Sequence, residues 1–92
     1  MLDKIKKLQG INHSEFDSTI EMFLESAKLD LKSIGIVDTL VDNPDSLIET
    51  AIITYVLSFI DIPNGEMYKA SYILQKDTLR HLGEYIQVEN GI

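Results

Sequence analysis

The stretch Leu47–Ile60, LIETAIITYVLSFI, decides the fold of this 92-residue chain. Ten of its fourteen residues are apolar, and Glu49 carries its only charge. Apolar and polar residues do not alternate, and the run is long for one strand, so the pattern predicts a helix. A helix that is apolar on nearly all sides is normally buried, and this run is shorter than the about 20 apolar residues that a bilayer requires. The stretch therefore predicts the central helix of a small all-α bundle.

Helix-start signals stand at three places in the chain. Ser14, followed three residues later by Asp17, is typical of a capped helix start whose acidic residue favours the positive helix end. Asn43 followed by Pro44 indicates an asparagine cap with proline at the first helical position. The central helix is therefore predicted to run from about Pro44 to Ile60. Asn64 follows Pro63 in a cluster of turn residues, and it is predicted to cap the last helix.

Glycines indicate where the helices end. Gly10 and Gly83 are predicted to stop the first and last helices, and Gly35 to end the second in a left-handed conformation. Ile36 is then expected to pack back on Leu31. The whole chain, 1–92, is predicted to be one domain of three main helices and a short N-terminal one. The predicted segments are a short helix at 1–9, main helices at 14–34, 44–60 and 66–82, a loop at 36–43, and a tail of unassigned form at 84–92.

Composition and motifs argue against several functional classes. The net charge of −7 disfavours a free-standing nucleic-acid binder, which usually carries a basic face, and disfavours anionic membrane surfaces. The chain has no cysteine, so thiolate metal sites and disulfides are ruled out. Its N-terminal segment lacks the apolar core of a signal peptide. The HExxH, P-loop and GxGxxG motifs are absent, and His13 and His81 stand far apart, so we predict no catalytic, cofactor or metal site.

Three groups of residues do not fit an isolated helical bundle, in which each helix should keep one polar face exposed to solvent. On a helical wheel of about 100° per residue, each group lies away from the stripe predicted to face the core. Two groups are apolar and one is basic with an isoleucine in its middle. The predicted interface residues are Met22 and Leu29 on the second helix, Ile53, Leu57 and Ile60 on the central helix, and Lys69, Ile73, Lys76 and Arg80 on the last helix.

Together these groups predict protein–protein contact. Because they differ in chemistry, a head-to-tail contact is favoured, with Glu21 and Glu25 facing the basic stripe of a neighbour. Ordinary explanations stay open for each group. Isolated apolar residues are common on protein surfaces, the N-terminal helix or the tail can cover the central-helix group, and the basic stripe can be a solvated face.

Five segments occur in an order that points to a family. They are NHSEFD at 12–17, KSIGI at 32–36, LIETAIITYV at 47–56, NGEMYKASY at 64–72 and LRHLGEY at 79–85. This arrangement resembles the head–tail connector proteins of tailed bacteriophages, in the form common to phages and prophages of Gram-positive bacteria. The likeness runs from about Leu2 to Tyr85 and consists of helix-packing patterns. After Val56 the chain stays mostly apolar, where many relatives are more polar.

The resemblance implies an all-α structural protein of the virion neck, made in the host cytoplasm and without enzymatic activity. It implies a homo-oligomeric ring that docks beneath the portal, extends the DNA channel and supports the next head-completion or tail protein. The implied partners are copies of the chain, the portal protein, that downstream protein, and DNA passing without sequence-specific contact, with no membrane partner. The alternative is an acidic helical adaptor or regulator, antitoxin-like, that binds one partner protein.

Overall fold

The computed structural model describes residues 1–87, and residues 88–92 lie outside the described part. Within residues 1–87 the secondary structure consists of helices and one isolated β-bridge. The helices are α1 (Leu2–Leu8), α2 (Asp17–Ser33), α3 (Asp38–Asp42), α4 (Ser46–Ile60) and α5 (Gly65–Arg80), with 3-10 turns at Ile62–Asn64 and Gly83–Tyr85. The prediction of a small all-α bundle is confirmed.

Helix α4 is the centre of the bundle, because α2 and α5 both pack on it. Seven of its fifteen residues are buried, and Ile48, Ile52 and Val56 have no exposed surface. Full burial of a side chain of this size contributes about 1.5–3 kcal/mol of transfer free energy. The apolar stretch Leu47–Ile60 is thus the element on which the others assemble.

The start of α4 differs from the sequence prediction. The helix begins at Ser46, and its cap is Asp45, whose carboxylate accepts a hydrogen bond from the Ile48 N–H at 3.0 Å. Asp45 has the extended backbone and the side-chain acceptor that a cap requires. Asn43 and Pro44 lie in the loop before it, so the predicted start was two residues early.

The start of α2 is also corrected. Ser14 does not cap the helix: its carbonyl accepts a turn hydrogen bond from the Asp17 N–H at 3.2 Å, and the helix begins at Asp17. The Asp17 carboxylate lies 2.8 Å from the Lys6 ammonium of α1. The first turn of α2 is therefore held by a contact with α1 rather than by a serine cap.

The junction after α2 follows the prediction closely. Gly35 has a φ of +94°, and its N–H donates to the Lys32 carbonyl while the Ile36 N–H donates to the Leu31 carbonyl, at 3.0 and 3.2 Å. This pair of bonds is a Schellman motif, which requires a left-handed residue such as glycine. The predicted loop at 36–43 also contains α3, whose residue Val41 is fully buried.

The chain after α5 folds back onto the junction that follows α2. Helix α5 ends at Arg80, and Gly83 begins a 3-10 turn, so Gly83 is not the helix stop that the sequence predicts. The Val37 N–H donates to the Tyr85 carbonyl and the Gln87 N–H to the Gly35 carbonyl, both at 2.8 Å. Residues 84–87 of the predicted tail are thus paired with the protein, and its residues 88–92 lie outside the described part.

Helices α4 and α5 meet at a sharp corner. The chain direction turns by 111° between Ser46–Ile60 and Ile62–Arg80. Within residues 1–87, no single helix has both the length and the apolar character needed to cross a membrane, and these two segments meet that test only as a bent pair.

Candidate interaction surfaces

The predicted apolar group on the central helix is not an exposed surface. Ile53 and Leu57 are only 9% and 6% exposed, and Ile60 is partly buried against the core. The prediction that these residues form an outward facet is therefore wrong for Ile53 and Leu57. Both belong to the interior of a single subunit.

Helix α1 lies beside this group of residues. The Lys4 ammonium pairs with the Glu49 carboxylate, and the Gln9 side-chain amide donates to the Asp61 carboxylate at 3.1 Å. Since Glu49 and Asp61 bracket the apolar group along α4, these contacts place α1 over it. Ile5 of α1 has no exposed surface and belongs to the same core cluster as Ile53 and Leu57. These contacts favour the alternative in which the N-terminal helix covers the central-helix group.

The outer face of α2 does stay exposed. Met22 and Leu29 have 56% and 66% of their surface accessible, and Glu21 and Glu25 beside them are also exposed. The opposite side of the helix is buried in the core. These four residues form one acidic and apolar surface, hereafter the α2 outer face.

Helices α2 and α5 pack on α4 from different sides and leave an open cleft of about 560 Å³. Its lining includes Asp30 of α2, Tyr55 and Phe59 of α4, Ile62, and Lys69, Tyr72, Ile73 and Lys76 of α5. The cleft thus combines aromatic and aliphatic side chains with charged groups.

A hydrogen-bonded group joins the two walls of this cleft. The Asp30 carboxylate accepts from the Tyr72 hydroxyl at 2.5 Å and from the Lys76 ammonium at 3.2 Å. The same ammonium lies 5.3 Å from the centroid of the Tyr72 ring, within the range of a cation–π interaction. Burial, and then the neighbouring Asp30, raise the pKa of Tyr72 well above its ordinary value, so its phenol remains a proton donor.

The structure brings three of the four residues in the predicted basic stripe into the cleft. Lys69, Ile73 and Lys76 line it, whereas Arg80 is exposed outside its lining. Lys76 is also engaged with Asp30 of its own subunit, which the sequence did not indicate. The use of these residues as an interface stays a prediction.

Several exposed apolar residues were missed by the sequence reading. Ile62, in the turn between α4 and α5, is 84% exposed, and Leu74 of α5 is 70% exposed. A smaller groove of about 260 Å³ adjoins the corner, with an apolar lining that includes Phe16, Phe23, Phe59 and Ile62. Met67 and Leu74 are seven residues apart and therefore lie on one side of α5, away from its buried side. This spacing could have predicted their exposure, because a helix with two apolar sides cannot bury both against one neighbour.

The two histidines occupy local structural positions. The His13 Nδ1 accepts a hydrogen bond from the Glu15 N–H at 3.3 Å, and the His81 Nδ1 lies 2.7 Å from the Asp77 carbonyl. Among residues 1–87, no group of three or more histidine, aspartate or glutamate side chains is arranged to hold a metal ion. The surfaces described above are therefore our candidates for function.

The fold and its surfaces define a class: a small all-α protein with exposed apolar residues of the kind that mediate protein contacts. A family model described as phage connector protein matches residues 1–72. The chain therefore belongs to the phage connector protein family. Comparisons with curated proteins and with solved structures give no significant match.

Membership in this family assigns a connector-type structural role in a phage particle, at the virion neck and together with other phage structural proteins. The match ends at Tyr72, so it contains α1 to α4 and the first half of α5. The segment LRHLGEY at 79–85, which contributed to the resemblance, lies beyond it. Of the predicted basic stripe, Lys69 lies within the matched region, and Ile73, Lys76 and Arg80 follow it.

Proposed function

We propose that the chain is the subunit of a ring that docks beneath the portal at the DNA-exit vertex of the capsid. In this position the ring extends the DNA channel and offers a platform for the next head-completion or tail protein. Its function is structural, with no catalytic step of its own. Its partners are further copies of the chain, the portal protein and that downstream protein.

The observation that carries the proposal is the family match over residues 1–72. The surface supports it independently of the match. Met22 and Leu29 on α2, Ile62 at the corner, and Ile73 and Leu74 on α5 are all more than half exposed. A subunit that must contact both its neighbours and its docking partners needs apolar surface on more than one side.

The charge of the chain suits a channel through which DNA moves. Basic side chains that neutralise phosphates supply most of the affinity of non-specific DNA binding. A ring whose subunits each carry a net charge of −7 repels the phosphate backbone, so DNA can slide past without being held. We propose that DNA moves through the channel of the ring without forming sequence-specific contacts.

The test is electron microscopy of the protein mixed with the portal protein of the same phage, with the portal alone as the control. We expect additional ring-shaped density on one end of the portal, coaxial with its channel. No added density at saturating protein would overturn the proposal. A single copy bound to one other protein, without a ring, would instead favour the acidic adaptor.

A further inference from the structure

We propose that the cleft between α2 and α5 of one subunit receives the α2 outer face of a second copy of the chain. The inference rests on the proposed function, since it names the contact that joins neighbours in the ring. The α2 outer face comprises Glu21, Met22, Glu25 and Leu29, and the receiving surface is the cleft bounded by Lys69 and Lys76.

One surface is convex and the other is concave. The α2 outer face is the convex side of a 17-residue helix, and Met22 and Leu29 project from it. The cleft is concave and contains apolar side chains that are themselves open to solvent, since Phe59, Ile62 and Ile73 are 51%, 84% and 53% exposed. Docking the helix would remove apolar surface of both partners from water, which is the main driving force of such association.

The charges are complementary as well. Lys69 has no carboxylate within 4.0 Å among residues 1–87. Lys76 gives one hydrogen bond to Asp30, and an ammonium group has three donors. Asp30 is in turn occupied by both Lys76 and Tyr72. The two lysines therefore remain available to acidic groups from outside, and Glu66 is the opposing charge in the lining.

Glu25 lies 3.7 Å from the Lys28 ammonium of its own subunit, but its side chain is 72% exposed and can also meet a lysine of a neighbour. The spacing of the charges allows Glu21 and Glu25 to pair with Lys69 and Lys76 at the same time. Glu21 and Glu25 are one turn apart, about 6 Å along the axis of α2, while Lys69 and Lys76 are about 10 Å apart along α5. The difference is within the reach of flexible lysine side chains. Ion pairs at such a rim mainly determine register and partner choice, and the apolar contacts supply the affinity.

The pairing is necessarily head-to-tail. Asp30 is on the cleft side of α2, whereas Glu25 and Leu29 are on its solvent side, so one copy presents the cleft and the outer face in different directions. Each subunit can thus be donor to one neighbour and acceptor to another, which is the condition for a ring.

The experiment is a charge swap between copies. One variant carries Glu21→Lys and Glu25→Lys, and the other carries Lys69→Glu. In each variant alone, the proposed pairing would bring like charges together. We therefore expect self-association to weaken at least about tenfold. Sedimentation and ring formation on the portal measure this change. In an equimolar mixture, basic outer faces meet acidic clefts, so association should recover.

Two further variants serve as controls for the swap. Lys7→Glu changes the net charge by the same amount as Lys69→Glu, at an exposed position of α1 that does not line the cleft, and it should leave association unchanged. Glu66→Gln removes the opposing acidic charge of the cleft and should tighten association. Circular dichroism and thermal unfolding establish that each variant is folded.

A failure of the mixture to recover, or equal weakening by Lys7→Glu, would overturn the pairing. Single variants that still form complete rings on the portal would overturn it too, while leaving the proposed function intact. Conversely, swap-dependent association in a chain that never binds the portal would support the pairing and refute the proposed function.

Cysteine cross-linking provides an independent measurement, because the chain has no cysteine of its own. In a chain carrying both Met22→Cys and Ile73→Cys, oxidation should yield a ladder of covalent oligomers, since every copy supplies both halves of the contact. Leu8→Cys combined with Ile73→Cys is the control, because Leu8 is equally accessible and lies on α1. A ladder from the control that matches the test pair would refute the pairing.

Discussion

The Asp45 side chain joins the start of α4 to the C-terminal segment of the described chain. Its carboxylate accepts from the Ile48 N–H at the start of α4, and also from the Tyr85 hydroxyl of the C-terminal segment. The backbone hydrogen bond, and then the bond from Tyr85, lower the pKa of Asp45. The same contact, together with burial, raises the pKa of Tyr85 to about 12.

These bonds predict a dependence of stability on pH. Since the folded pKa of Asp45 lies below that of an unfolded aspartate, about 3.9, its contribution is present above that value and is lost as the pH falls through the folded pKa. Asp45→Asn keeps a capping oxygen but does not titrate. Urea unfolding between pH 2 and 7 should show a smaller loss of stability below pH 4 in this variant. Parallel curves for the two proteins would contradict the assignment.

Gly65 is required by a close approach between helices. A Cβ atom added there would lie 2.9 Å from the Ser58 carbonyl oxygen, which belongs to the backbone of α4 and cannot swing aside. We expect Gly65→Ala to destabilise the protein by about 1–3 kcal/mol in chemical denaturation, the usual cost of overpacking.

Gly83→Ala is the matched control for that substitution. A Cβ atom added at Gly83 would have no other atom within 4 Å, and the φ of Gly83 is outside the left-handed region. Its effect should therefore be neutral or slightly stabilising, by up to about 1 kcal/mol, because alanine restricts the unfolded chain. Equal destabilisation by the two substitutions would show that the close approach to Ser58 is not the cause of the loss at Gly65.

At the scale of elements, α1 completes the core although it has only seven residues. Such a short helix is not stable alone in water, so its order comes from Ile5 and from the contacts of Lys4 and Lys6 with α4 and α2. We expect that removing α1 would open this side of the core, to which Ile5 belongs.

We therefore expect Ile5→Ala to destabilise the subunit by about 2–5 kcal/mol, the range for truncating a fully buried isoleucine. Leu8→Ala on the same helix should cost far less, because Leu8 is 60% exposed. Thermal or urea unfolding of both variants measures the difference. If Ile5→Ala were as mild as Leu8→Ala, α1 would not be the cover of the central helix.

At the scale of the whole molecule, the shape is elongated, with principal extents of 49 × 23 × 18 Å. Such a shape exposes a large share of a short chain, which explains why ten large apolar side chains in the described part are more than half exposed. We propose that assembly into the ring covers part of this surface.

The net charge of −7 predicts weak binding to DNA. Proteins that bind without specificity through basic contacts reach dissociation constants of about 10⁻⁴–10⁻⁶ M at physiological salt, and this chain should bind more weakly than that range. A mobility-shift titration with duplex DNA measures it. The Glu21→Lys/Glu25→Lys variant is less acidic by four charges, two for each reversal, and should bind more strongly at low salt. Micromolar binding by the natural chain would contradict the role proposed for its charge.

The local sequence was sufficient to predict features that depend on residues close together along the chain. The apolar character of Leu47–Ile60 predicted the buried central helix, and Gly35 predicted the left-handed end of α2. The cap of α4 was misplaced because Asn43 and Asp45 are both good caps, and Asp45 is further stabilised by Tyr85, forty residues away.

The amino-acid order alone thus determined the helical class, the central helix and the likeness to phage connectors. Only the tertiary structure decided which apolar residues are covered, because exposure depends on distant partners. Ile53 and Leu57 are buried in the single subunit, and α1 is tied to their helix by a pair between Lys4 and Glu49 that spans 45 positions. The cleft likewise exists because α2 and α5 pack on α4 from different sides. The periodicity of one helix cannot predict a space that lies between two helices.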